Sequence, residues 1–149
     1  MLTVRQLLQL KKDESTYSVS PQASVYDALK MMAEKNVGAV MVVDENNQMI
    51  GIFTERDYAR KIVLKGKTSL ETPINEIMTS EMVTVNPDQT LEECMNLMTR
   101  WHIRHLPIME KGRLIGMVSM RDVVEILLSM KEGTIASLEN YILGEGYGR

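Results

Sequence analysis

The chain has a single cysteine, Cys94, among 149 residues. A lone thiol excludes an internal disulfide and suits a reducing compartment, so a cytoplasmic setting is expected. Aromatic residues are also scarce. One Phe and one Trp against 13 Met describe a core filled by flexible thioethers rather than rings. No apolar run approaches the length of a membrane span. The opening MLTVRQLLQLKKDE is too short and too polar to read as a secretory signal. Lys and Arg form no block and the formal charge is −3, which gives no reason to expect a nucleic-acid partner. There is no P-loop, no GxGxxG, no Ser-His-Asp order and no glycosidase-like carboxylate pair. A hydrophobic content of 44% with 25% charged residues is that of an ordinary globular domain, or of two half-domains sharing a core.

What the chain does have is a sentence written twice. Residues 17–63 run YSVSPQASVYDALKMMAEKNVGAVMVVDENNQMIGIFTERDYARKIV. Residues 83–128 run VTVNPDQTLEECMNLMTRWHIRHLPIMEKGRLIGMVSMRDVVEILL. Residue types keep the same order almost throughout. Each copy is one supersecondary unit too small to bury its own apolar face, so the two pack together and the seam between them is the natural place for a ligand.

Each unit reads as strand, helix, strand, strand, helix. A short strand begins at Val19 and ends at Pro21. Ser24 and Thr90 precede apolar periodic runs and read as helix N-caps, Thr90 with Glu93 in the full capping-box pattern and Ser24 with Asp27 in a shorter-armed one. Val25, Ala28, Leu29 and Met32, and likewise Leu91, Cys94, Met95 and Met98, repeat at i, i+3, i+4 and i+7 and make one apolar face each. Strands are expected at 39–44 and 105–110, returning after the turns ENNQ and KGR as strands 49–54 and 114–119, then helices 55–65 and 120–130. Short amphipathic helices at 3–8 and 72–78 lead into each unit. Residues 1–66 thus form the first repeat and 67–130 the second, joined by GKTSLETP. Residues 131–149 form a helix through about Leu143 and a Gly-rich tail.

The strings GIFTERD (51–57) and GMVSMRD (116–122), with IMTSEMVTVNPDQTL between the halves and NVGAVMVVD and HIRHLPIME before the turns, resemble the cystathionine-β-synthase (CBS) domain. The resemblance spans about residues 1–130. It implies an α/β (α+β) fold of two β-α-β-β-α repeats paired about a pseudo-two-fold axis. It also implies a sensor that binds adenosine-containing nucleotides in one or both clefts, with modules often associating in pairs.

Thr54 with Asp57, and Ser119 with Asp122, stand three apart at a helix start. The spacing serves a cap with an acidic third residue, and equally a carboxylate accepting a ribose 2′,3′-diol; the resemblance puts Asp57 and Asp122 on the ribose position. Arg56 and Arg121, with Arg60 a turn further on, read as solvated helix residues or as forks for phosphate. Arg104 and His105 stand where the first half has Gly38 and Ala39. Basic residues there suit phosphates under the resemblance, whereas Gly-Ala lets a flat base approach backbone, so the two clefts should be unequal. Thr79 is either a turn residue or, by the resemblance, a neighbour of the adenine. His102 and His105 have no third ligand nearby and are expected to be structural rather than metal-binding. Cys94 lies on an apolar helix face and reads as inert core, and Trp101 as a partly exposed contact.

The function expected is a non-enzymatic regulatory module. Its ligand is AMP, ADP, ATP or NAD(H), held without a catalytic cofactor or metal. A homodimer is expected, with a patch drawn from Ile62, Leu64, Val123, Ile126, Leu127 and Met130, and a regulated partner protein is possible. The alternatives are an interaction module with vestigial clefts and a redox-linked activator working through Cys94.

Overall fold

The computed structural model describes residues 2–11 and 16–142, with the backbone alone for 132–142. The expected Gly-rich tail and the helix end at Leu143 lie outside the described residues. The order is α1 (Val4–Leu10), β1 (Ser18–Val19), α2 (Val25–Lys35), β2 (Ala39–Val43), β3 (Met49–Thr54), α3 (Glu55–Asp57), α4 (Leu91–Trp101), β4 (His105–Glu110), β5 (Arg113–Ser119) and α5 (Met120–Ile142). A π-helical turn, Tyr58–Val63, continues α3, and a single 3-10 turn, Ile74–Glu76, opens the second repeat.

Local chemistry accounts for the boundaries. The Ser24 and Thr90 side chains accept from the backbone N–H groups of Asp27 and Glu93, capping α2 and α4. Both helices end on a residue in the left-handed region, Asn36 at φ 55° and His102 at φ 54°. α1 carries a complete capping box from Thr3 and Gln6. The β4–β5 hairpin closes through Lys111 and Gly112, both at positive φ, the geometry a two-residue turn requires to match strand twist. The longer first turn is held by Asp44, whose Oδ1 accepts from the Asn46 and Gln48 N–H groups.

β1, β2 and β3 form one sheet, β1 parallel and β3 antiparallel to β2; β4 and β5 form the other, antiparallel. Strand alternation divides the apolar residues between two jobs. Val40, Val42 and Phe53 face the core of the first repeat, with Val25, Ala28, Met32 and Ile62. Leu106, Ile108 and Val118 face that of the second, with Leu91, Cys94, Met98 and Val123. The intervening Ala39, Met41 and Ile52 meet Leu114 and Met117 across the seam.

The leading turns are exchanged. Val4 and Leu7 of α1 sit in the core of the second repeat, while Ile74 and Ile77 sit in that of the first. Backbone bonds fix both crossings: Val4 N–H to the Gln89 carbonyl at 2.8 Å, and Ile74 N–H to the Ala23 carbonyl at 2.8 Å. Two further findings adjust the expected outline. The final helix does not break near residue 131 but runs on as one element to Ile142. Ile62 and Val123, counted on the expected dimer patch, are buried in their own cores. Among the described residues no helix is long and apolar enough to cross a membrane.

Candidate functional site

A cleft of about 990 Å³ opens at the seam. Of the site residues read from the sequence, Gly38, Ala39, Arg104, His105, Ser119, Arg121 and Asp122 line it together. Strand ends supply most of them. His105 starts β4 beside Ser119 at the end of β5, its ladder partner, and Asp122 follows in the first turn of α5. Gly38 precedes β2. A Cβ there would lie 3.3 Å from both Glu55 Oε1 and His105 Cε1, so glycine leaves that wall of the cleft open.

Asp122 is held on one side only. Its Oδ2 accepts from the Ser119 N–H at 2.8 Å and pairs with Lys11 Nζ at 3.0 Å. Oδ1 has no partner among the described residues and remains available as an acceptor. The Ser119 hydroxyl accepts from the Asp122 N–H at 3.0 Å, completing a reciprocal cap. Cap and ligand acceptor are therefore compatible: the cap uses one carboxylate oxygen and leaves the other.

Cations share the cleft with this carboxylate. Lys11, Lys35, Arg104 and Arg121 line the cleft against Asp122 and Glu125. Lys11 also donates to the Met117 carbonyl at 2.9 Å, Lys35 lies 5.5 Å from the Tyr17 ring centre, and Arg121 pairs with Glu125 at 3.0 Å. The Arg104 side chain is exposed. Burial lowers the pKa of His105 below its ordinary 6.5; Arg104 and Lys11 push the same way, and Asp122 opposes them. His105 is thus a neutral group among positive ones. Leu10, Met117, Met120 and Ile126 supply apolar lining.

The Asp57 side differs. Asp57 is 7% exposed, and four donors meet its carboxylate. The Thr54 N–H and hydroxyl reach Oδ2 at 3.0 and 3.1 Å, and the Thr79 hydroxyl and Lys61 Nζ reach Oδ1 at 3.0 Å each. Thr54, Asp57 and Thr79 are therefore brought together, but with one another. Arg56 donates to the His102 carbonyl and so ties α3 to the end of α4. Arg60 is exposed and lies outside the cleft lining. The sequence reading omits Lys11, Lys35, Tyr17 and Lys61. Only the exchange of α1 brings Lys11 to Asp122, and no local motif signals it, whereas the i,i+4 spacing of Asp57 and Lys61 is a local signal.

Cys94 is buried, and desolvation pushes its thiol up to about 11, so it is inert core. His102 caps α4 through its backbone. Among the described residues no group of three or more His, Cys, Asp or Glu is placed to hold a metal.

Two repeats of one α+β unit, exchanging their leading turns around a shared cleft, define a paired regulatory module. The chain belongs to the CBS domain family, whose model matches residues 13–64 and 74–129. It is 43% identical over 128 residues to the mitochondrial CBS domain-containing protein CBSX3 of Arabidopsis thaliana, covering 83% of this chain and 62% of that protein's length. A solved protein with CBS domains from Burkholderia ambifaria is 46% identical with a TM-score of 0.82, over 85% of this chain and 94% of that one. The CBS domain pair of protein MJ0100, solved in complex with 5′-methylthioadenosine and S-adenosyl-L-methionine, shares the fold at 23% identity and a TM-score of 0.76, over 87% and 98% of the two chains.

Proposed function

We propose that this chain is a regulatory module that binds an adenosine nucleotide in the cleft at Asp122 and signals through the resulting change in its seam. The observation that carries the reading is the half-engaged carboxylate of Asp122, with Oδ1 unpartnered among the described residues in a 990 Å³ cleft rich in cations. Oδ1 is the acceptor for a ribose diol. The apolar lining at Leu10, Met117 and Ile126 suits a base, and Arg104 with Arg121 suits an anionic tail. A carboxylate that accepts from a diol discriminates against a sugar lacking the hydroxyls, because an acceptor covered by the ligand is then left unpaired.

The candidates are AMP, ADP, ATP and NAD(H), which share ribose and anion. That a CBS pair of the same fold holds adenosine compounds supports the base and ribose assignments. The cations here add a preference for phosphate. AMP should therefore bind more tightly than 5′-methylthioadenosine, which is uncharged at that end. The cleft draws Lys35, Gly38 and Ala39 from one repeat, Arg104, His105 and Asp122 from the other, and Lys11 from the exchanged helix. A ligand touching all three favours one arrangement of the halves, which is how occupancy would be passed to a partner protein. Binding is without chemistry: the carboxylate acts as an acceptor, and incubated ATP or NADH should be recovered unchanged.

A second copy is the expected partner of the exposed stripe Val124, Leu127 and Leu128 on α5, spaced at i, i+3 and i+4. The test of the binding reading is a thermal-shift panel of AMP, ADP, ATP, NAD+ and NADH. A ligand at 100 times its Kd adds roughly 2.7 kcal/mol to stability. Protection by at least one of them is expected; none by any, on a folded protein, would favour the interaction module with vestigial clefts.

A further inference from the structure

We infer that Lys61 closes the Asp57 half of the module, so that the chain takes one nucleotide rather than two. The inference rests on the proposed binding at Asp122 and adds a determinant of stoichiometry.

Lys61 follows Asp57 by four residues, within the π turn Tyr58–Val63. Its ammonium has three N–H donors, and three acceptors meet it: Asp57 Oδ1 at 3.0 Å, the Ile77 carbonyl at 3.0 Å and Thr79 Oγ1 at 3.4 Å. The Thr79 hydroxyl in turn donates to Asp57 Oδ1 at 3.0 Å. Lysine, threonine and aspartate thus form a closed ring on Oδ1, and with the Thr54 N–H and hydroxyl on Oδ2 neither carboxylate oxygen keeps a free position. The ring also staples the linker between the repeats, through Ile77 and Thr79, to the end of α3 and the π turn that follows. A diol arriving at Asp57 has to displace a charge-assisted bond and a hydroxyl, and leaves the ammonium short of a partner.

The second repeat lacks both parts of the ring. Four residues after Asp122 stands Ile126, an aliphatic side chain that lines the cleft and donates nothing. The segment corresponding to the linker is α1, a continuous helix through Leu10, where the first repeat has one 3-10 turn followed by an extended Thr79 bridged to Ile52. Lys11 takes the remaining role, but on Oδ2, which already carries the Ser119 N–H, and so leaves Oδ1 open. Lys61 with Thr79 on one side, against Ile126 with α1 on the other, separates a sealed aspartate from an open one.

The test is a calorimetric titration of the full chain with AMP, in the wild type and in Lys61→Met and Lys61→Gln. One AMP per chain is expected for the wild type and two for either folded variant. Two AMP in the wild type, or one in both variants, would overturn the closure while leaving nucleotide binding at Asp122 intact. No AMP bound by any of the three would instead sink the binding reading, and this one with it. Should the variants fold poorly, the wild type still decides the matter through amine acylation. Saturating AMP should slow modification of Lys11 and leave the rate at Lys61 unchanged. A rate at Lys61 that changes as much as that at Lys11 would contradict the proposal.

Discussion

The two aspartates show how one residue pattern can end in two chemical states. Spacing alone made both Thr54-Asp57 and Ser119-Asp122 legible as caps, and the caps are present. What spacing could not show is which carboxylate oxygens remain free. That depends on Lys61 and on Thr79, 22 residues away in sequence, and on Lys11, which arrives from the other end of the chain. Asp122→Asn should weaken AMP binding by roughly 1–3 kcal/mol, or about 5- to 150-fold, the scale of a buried charged partner removed. Asp57→Asn should leave AMP affinity unchanged in the same calorimetric experiment. His105 carries a pH signature. Because its folded pKa lies below the ordinary 6.5, the unfolded chain takes up the proton first as pH falls. The stability gained by keeping His105 neutral is complete above about pH 6.5 and is lost as pH falls through the lowered folded value. Thermal unfolding from pH 7.5 to 5.5 should show this loss in the wild type and a smaller one in His105→Gln; equal slopes would exclude His105 as its source.

Helices and strands followed from apolar period and capping residues, because both act within one turn of the chain. The α1 capping box stands in the sequence as Thr3-x-x-Gln6, just ahead of the amphipathic run that marks the helix. The π turn was not legible, since it arises from the packing that places Ile62 in the core while Lys61 reaches the linker. Nor was the unbroken α5, which reads in the sequence as a helix over 120–130 and a second one beyond it. The exchange of α1 is the largest effect of this kind. Two similar repeats offer an incoming helix two similar cores, and the chain alone does not say which it fills. Leu7 lies fully buried in the second core, so Leu7→Ala should cost roughly 2–5 kcal/mol in denaturant unfolding despite its distance in sequence from residues 91–123. A loss under about 0.5 kcal/mol, the range of an ordinary surface change, would place α1 outside that core.

For the whole molecule, duplication makes the fold legible and its breaks in symmetry make the function legible. Arg104 and His105 against Gly38 and Ala39 signalled unequal halves. The structure adds that all four line one cleft rather than one pair per cleft, because the seam brings β2 and β4 together. The α5 stripe belongs to this scale too. Leu128→Glu should shift a dimer toward monomer in sedimentation, while a wild type that is monomeric at high micromolar concentration would exclude the second copy. The central claim is that Asp122 is the ribose acceptor of an adenosine nucleotide site. Its most direct measurement is an AMP and 2′,3′-dideoxy-AMP titration of the wild type and Asp122→Asn. The account predicts that the wild type prefers AMP and that Asp122→Asn loses the preference along with most of the affinity. Equal binding of both nucleotides by the wild type, or an unchanged preference in Asp122→Asn, would contradict it.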